Sequence, residues 1–288
     1  MALSDLVLST KPSLTAPELA DADALVREAR WNQLIADWRV FIEHGRVYAA
    51  QTTEGRIVGT TATLPYGGRF AWISMVLVTG EYRRRGLATQ LLRLAMADLA
   101  AAKLVPVLDA TPDGHPVYRR LGFEDCWGFT RLVRRERRVT SAAADVTVRP
   151  IADSDWLTLV AYDAAAFGAE RSAVLAGLRG RLPAAELIAE RNGRIAGFLL
   201  GRDGGLASHI GPLIADDDTV ACALAARALE ALDGPVFVDL ADAQTGLRGF
   251  LDGCGFAVAR PFTRMAYRSS ARFDDAARTF AVGGPEFG

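Results

Sequence analysis

The run Trp72-Ile73-Ser74-Met75-Val76-Leu77-Val78-Thr79-Gly80-Glu81-Tyr82-Arg83-Arg84-Arg85-Gly86-Leu87-Ala88-Thr89 decides how this chain folds. It opens as an apolar strand, turns, passes through a basic loop and enters Leu87–Ala101, where leucines and alanines recur at helical spacing. A helix start leaves backbone N–H groups unpaired and carries partial positive charge. Gly86 lets a ligand approach the backbone closely, and Ala88 keeps the second turn small. Arg83, Arg84 and Arg85 add forked donors suited to phosphate oxygens. Alone, a basic turn before a helix is more often a solvated face. The order strand, loop, glycine, small residue, helix is what predicts a diphosphate site at a helix N-terminus. The glycine spacing and terminal Lys-Ser/Thr of a P-loop are missing.

Working outward, strands are expected at Arg46–Gln51, Ile57–Leu64 and Phe70–Val78, with a turn at Thr53-Glu54-Gly55. A buried strand at Leu104–Leu108, a short helix at Pro116–Leu121 and a closing strand at Phe129–Val133 complete the first half. The pattern then repeats. Gly55-Arg56-Ile57-Val58-Gly59 returns as Gly193-Arg194-Ile195-Ala196-Gly197, an offset of 193 − 55 = 138. Gly122-Phe123 with Phe129-Thr130-Arg131 returns as Gly255-Phe256 with Phe262-Thr263-Arg264, an offset of 255 − 122 = 133. Two matches in the same order argue for a duplicated domain. Glu186–Glu190, Ile195–Leu200, Ser208–Ile214, Thr219–Leu232 and Val236–Leu240 supply the matching strands and long helix. The expected fold is α/β: two tandem domains, each a central mixed sheet flanked by helices. We place the domains at 1–138 and 146–270, with a linker at 139–145 and a C-terminal tail at 271–288.

The totals constrain the function class. The 288 residues suit two domains, half of them are apolar, and the formal charge is −1, so no overall field draws the chain to nucleic acid or to an anionic membrane. No stretch approaches the ~20 apolar residues of a membrane span, and the N-terminus lacks a signal peptide's basic start. Cys126, Cys222 and Cys254 have no metal-like spacing and suit a reducing, cytoplasmic setting. The chain is expected to act as a monomer or homodimer.

Arg83-x-x-Gly86-x-Ala88 resembles the Arg/Gln-x-x-Gly-x-Gly/Ala signature of the GNAT superfamily of acyl-CoA N-acyltransferases. The resemblance implies acetyl-CoA as co-substrate. The backbone of Val76, Leu77 and Val78 would then pair with the pantetheine arm, and Arg83, Arg84, Arg85, Gly86, Leu87, Ala88 and Thr89 would hold the pyrophosphate. A second motif, Asp109-Ala110-Thr111-Pro112-Asp113-Gly114-His115-Pro116-Val117-Tyr118-Arg119-Arg120-Leu121-Gly122-Phe123, places Tyr118 four residues before Gly-Phe, where GNAT enzymes carry a tyrosine. Acyl transfer from a thioester expels a thiolate, and a phenol of pKa about 10 can donate a proton to it. Arg30-Trp31-Asn32-Gln33, Ala71–Met75, Leu108–Pro112 and the ending Phe280–Glu286 resemble a group of bacterial two-domain GNAT proteins.

The second copy reads as silent. The window matching Gly86, Thr219–Leu224, holds no glycine, and Asp216-Asp217-Asp218 stands where arginines are needed. Tyr118 maps to Leu251 through the Gly-Phe anchor. Carboxylates at a helix start suit its dipole but repel a diphosphate.

The acceptor side is expected in the two helical stretches of Ala16–His44. Trp31, Asn32 and Gln33, with Ser74 on the strand, are the candidate substrate-binding residues. Asp109, beside the reaction centre, is a candidate catalytic residue that could bind the amine or pass on its proton, and it could equally cap the following helix. The reading is an N-acetyltransferase acting on a small-molecule primary amine. A non-catalytic acyl-CoA sensor and a mycothiol-synthase-like tandem enzyme are the alternatives.

Overall fold

The computed structural model describes residues 5–136, 138 and 146–288. The expected linker at 139–145 lies outside the described residues. The chain forms two compact units, Met1–Leu108 and Asp109–Gly288.

The first unit is built on strands β1 (Val7–Lys11), β2 (Arg46–Gln51), β3 (Ile57–Tyr66), β4 (Phe70–Val78) and the start of β5 (Val105–Ala110), which lie side by side in that order. β1 to β4 are antiparallel neighbours, with short turns joining β2 to β3 and β3 to β4, while the crossover through helix α3 (Leu87–Ala101) makes β5 parallel to β4. Helix α1 (Ala16–Glu28) starts where Glu18 accepts the Thr15 backbone N–H at 2.9 Å, with Pro17 in its first turn. Helix α2 (Ile35–His44) starts where Asp37 accepts the Leu34 N–H at 2.7 Å. The apolar stripe Leu87, Leu91 and Ala95 of α3 packs on Tyr48 and Ala50.

The second unit carries helices α4 (His115–Arg120), α5 (Trp156–Phe167), α6 (Ser172–Leu178), α7 (Asp218–Ala231) and α8 (Thr245–Gly253). Its strands are β6 (Phe123–Arg134), β7 (Thr147–Pro150), β8 (Leu187–Arg191), β9 (Arg194–Arg202), β10 (Ser208–Ala215), β11 (Val236–Ala241), β12 (Phe256–Tyr267) and β13 (Thr279–Ala281). They are ordered β12-β6-β11-β13-β10-β9-β8-β7. The core joins Leu224 and Ala228 of α7 and Leu247 and Leu251 of α8 to Leu199, Leu213 and Val238 of the sheet.

The placement of β6 differs from expectation. Phe129–Val133 was read as closing the first half. Instead β6 pairs antiparallel with β11, Phe129 opposite Ala241 and Arg134 opposite Val236, and on its other edge with β12. The last strand of the first repeat thus runs between two strands of the second, which is why the units divide ahead of it. The segment 271–288, expected as a C-terminal tail, supplies β13, and Phe280, Val282 and Phe287 are buried.

Candidate functional site

β4 and β5 pair only at Phe70–Val105, Ala71–Pro106 and Trp72–Val107. β4 continues to Val78, and among the described residues no strand pairs with its far edge beyond Trp72. A register shift opposite Thr60–Ala62 marks the cause, an extra β4 residue between Ser74 and Leu77. Met75 takes up the bulge with φ of 51°, and the Thr60 hydroxyl fixes it by donating to the Met75 carbonyl at 2.8 Å. Val76 and Val78 are half-buried on this splayed stretch and Leu77 is buried. The Ser74 hydroxyl is buried without a hydrogen-bond partner among the described residues.

Past β4 the chain makes one 3-10 turn, Gly80–Tyr82, and enters α3 at Gly86. Gly86 has φ of +84°, no side chain caps the helix start, and a Cβ there would meet nothing within 4 Å. Glu28 of α1 holds the loop in place: its carboxylate accepts from the Thr79 hydroxyl at 2.8 Å, the Gly80 N–H at 2.7 Å and Arg83 at 3.1 Å. Burial opposes its ionisation, but these donors outweigh burial and hold the carboxyl below its usual range. Arg83 also donates from Nε to the Val78 carbonyl at 2.8 Å. Its side chain thus braces the turn. Arg84, at φ of 60°, and Arg85, whose guanidinium lies 5.7 Å from the Tyr82 ring centre, are both exposed. Leu87 anchors the helix in the core, while Ala88 and Thr89 are half-buried.

Trp31, Asn32 and Gln33 lie not in a helix, as expected, but in the segment joining α1 to α2. Arg30, at φ of 53°, ends α1 there. Asn32 and Gln33 are buried and Trp31 is half-buried.

In the second unit, Tyr118 sits on α4, its ring 6.0 Å from that of Phe123, which in turn meets Tyr267 at 5.7 Å. Burial pushes its phenol up to about 12, so the hydroxyl keeps its proton throughout the neutral range. His115 is engaged by Asp125, Nε2 to Oδ1 at 2.9 Å. Asp109 is fully buried and gripped by Arg264, whose Nε and Nη2 each donate at 2.9 Å. Burial pushes the Asp109 carboxyl up to about 6 against the pull of Arg264. Sequence reasoning missed Glu28 and Arg264 as site-supporting residues. Arg264 could have been found, because it is the third residue of the repeated Phe-Thr-Arg.

The corresponding helix start in the second repeat is occupied from within. Asp217 caps α7 by accepting the Val220 N–H at 3.0 Å and pairs with Arg191 at 2.6 Å. Asp216 accepts from the Tyr162 hydroxyl at 2.8 Å, and Asp218 from the Leu247 N–H at 3.0 Å.

The acetyltransferase (GNAT) family model matches residues 14–123, and a GNAT acetyltransferase domain model matches residues 159–281. The chain is 25% identical over 218 residues to YitH of Bacillus subtilis (strain 168), an uncharacterized N-acetyltransferase, covering 76% of this chain and 77% of that one. A candidate acetyltransferase from Pyrococcus horikoshii superposes over 100% of this chain and 98% of its own, with a TM-score of 0.78 and 18% identity. A tandem GNAT protein from the clavulanic acid biosynthesis pathway does so over 91% and 98%, with a TM-score of 0.65 and 13% identity. These likenesses agree on one α/β fold. With a GNAT domain matched on each half, this chain belongs to the GNAT acetyltransferases as a two-domain, tandem member.

Proposed function

We propose that the first repeat binds acetyl-CoA and that the protein transfers its acetyl group to the primary amine of a small molecule within a ternary complex. The observation that carries this reading is the free edge of β4. A bulged strand that, among the described residues, has no strand partner beyond Trp72 offers backbone groups to a pantetheine arm, and the start of α3 at Gly86 follows it directly. Gly86 fits a diphosphate, since a side chain at that φ would be strained and would intrude on the approach. Arg84 and Arg85 add charge beside it.

In the reaction the neutral amine nitrogen attacks the thioester carbonyl, a C–N bond forms, and the C–S bond breaks. The departing thiolate takes the Tyr118 proton, and the nitrogen loses one to water. Asp109 has both oxygens held by Arg264, which favours a part in fixing the end of β5 over contact with the amine. Ser74, with its buried hydroxyl unpaired, and the segment Trp31–Gln33 are the acceptor-side residues in this reading. The name of the Bacillus relative, an N-acetyltransferase, supports nitrogen as the acceptor atom.

Calorimetry with acetyl-CoA followed by free-thiol release over a pooled amine library tests both halves of the proposal. One binding event per chain and amine-dependent thiol release are expected. Binding with no thiol release from any amine would leave a sensor, and no binding would overturn the donor assignment.

A further inference from the structure

The second repeat keeps the splay of the first. β10 and β11 pair in parallel only at Ser208–Val236, His209–Phe237 and Ile210–Val238. A register shift between Ile210 and Leu213 bulges β10 as its counterpart bulges β4. Here, however, the split is filled. β13 lies between the two strands, with Leu213 opposite Ala281, Ile214 opposite Thr279, and Leu240 opposite Ala281 on the far side. The Val282 N–H donates to the Asp239 carbonyl at 3.0 Å. A Cβ on Gly211, at φ of +146°, would stand 2.2 Å from the Val282 carbonyl oxygen, so β10 is shaped for this segment.

Buried side chains anchor the insert. Gln244 donates from Nε2 to the carbonyls of Ala276, at 2.8 Å, and Thr279, at 3.1 Å. Arg202 pairs with Glu286, both fully buried. At the head of the same slot, Asp217 sits on the α7 N-terminus with Arg191 beside it.

We infer that the second repeat retains an acyl-CoA slot whose ligand has been replaced by the chain itself, with β13 in the place of a pantetheine arm and Asp217 in that of a phosphate. The comparison rests on reading the open split of the first repeat as the donor slot. The behaviour of β13 as an internal ligand can be read without any cofactor. It changes the reason for the second domain's silence: acidic repulsion is secondary to a slot already full.

The test uses the full chain with a protease site inserted between Ser270 and Ala271, both exposed. After cleavage, residues 271–288 should co-elute with the remainder in native buffer and part from it only in denaturant. The melting temperature of the cut protein should fall on dilution and recover with excess synthetic peptide of residues 271–288, as for any bound ligand. Separation in native buffer with an unchanged melting temperature would overturn the inference. In the uncut chain, Ala281→Pro breaks a ladder shared by two strands and should lower the melting temperature by more than about 5 °C. A shift within about 1 °C would count against it. Asp216→Asn with Asp217→Asn should leave acetyl-CoA stoichiometry unchanged, and a second site opening in that variant would show that charge alone kept the slot empty. If no acetyl-CoA binds anywhere while the peptide results hold, the donor assignment fails and the internal ligand stands.

Discussion

Arg264 and Asp109 form a two-pronged ion pair, both hydrogen bonds 2.9 Å long and both side chains fully buried. It has a counterpart in Arg131 and Asp239, joined by two bonds of 2.7 Å. The two arginines are the third residues of the repeated Phe-Thr-Arg, and each pairs with a carboxylate from the other repeat. Both pairs thus join one repeat to the other within the second unit. Arg131 travels on β6, which lies between β11 and β12, and takes its partner from β11.

Removing one member of such a pair leaves a buried charge uncompensated. Arg264→Ala should therefore cost about 3–5 kcal/mol in urea unfolding. Replacing both partners, Arg264→Met with Asp109→Leu, should cost clearly less than either single change. An Arg264→Ala variant as stable as the parent would show that the pair contributes nothing.

A fragment ending at Arg138 should fail as an independent protein. It would carry β6 without β11 or β12, exposing two long strand edges and the apolar residues Phe129 and Leu132. Size-exclusion chromatography should find it aggregated, and co-expression with residues 139–288 should restore a soluble pair. A monomeric, folded fragment would mean that β6 does not need its partners.

Most elements were legible because their patterns are local. The spans Arg46–Gln51, Phe70–Val78 and Leu87–Ala101 match the observed elements end to end, since turn signals and helical spacing mark both boundaries. The glycine-led loop was equally readable, because the motif and the helix it opens are contiguous. The placement of β6 beside β11 and β12 was not readable. β6 has the same apolar pattern whichever sheet it joins, and pairing partners more than a hundred residues away leave no local trace. For the same reason 271–288 read as a tail: Phe280 and Val282 are too few to announce a strand until Gly211 and Gln244 are seen to receive them. Glu28 gave no signal, as a glutamate ending a helix is ordinary in sequence and acquires its role only where Thr79, Gly80 and Arg83 converge on it.

Acid should expose the anchoring of β1 to α1. Hydrogen bonding to Lys11, at 2.8 Å, and then to the Thr15 N–H holds the Glu18 carboxyl down at about 2 in the folded chain. A carboxylate with a depressed folded pKa contributes stability that is fully present above its unfolded value of 4.5 and is lost as pH falls through 2. Glu18→Gln should thus destabilise by about 1–2 kcal/mol at pH 7, allowing for solvent screening, with the difference vanishing toward pH 2. A pH-independent difference would assign the effect to packing.

Gly86→Ala places a Cβ on a left-handed residue at the start of α3. The strain should cost about 1 kcal/mol of stability, and relaxing it would turn the first N–H groups of the helix away from the donor. The KM for acetyl-CoA should rise about tenfold or more while kcat changes less. Unaltered KM would place the diphosphate elsewhere.

The most direct test of the account is turnover by Tyr118→Phe. The substitution keeps the ring that packs on Phe123 and removes only the proton proposed for the thiolate. The account predicts a fall in kcat of roughly 10²–10⁴, with acetyl-CoA affinity by calorimetry and melting temperature nearly unchanged. Turnover close to that of the parent protein would contradict it, and would leave the departing sulfur to be protonated by water.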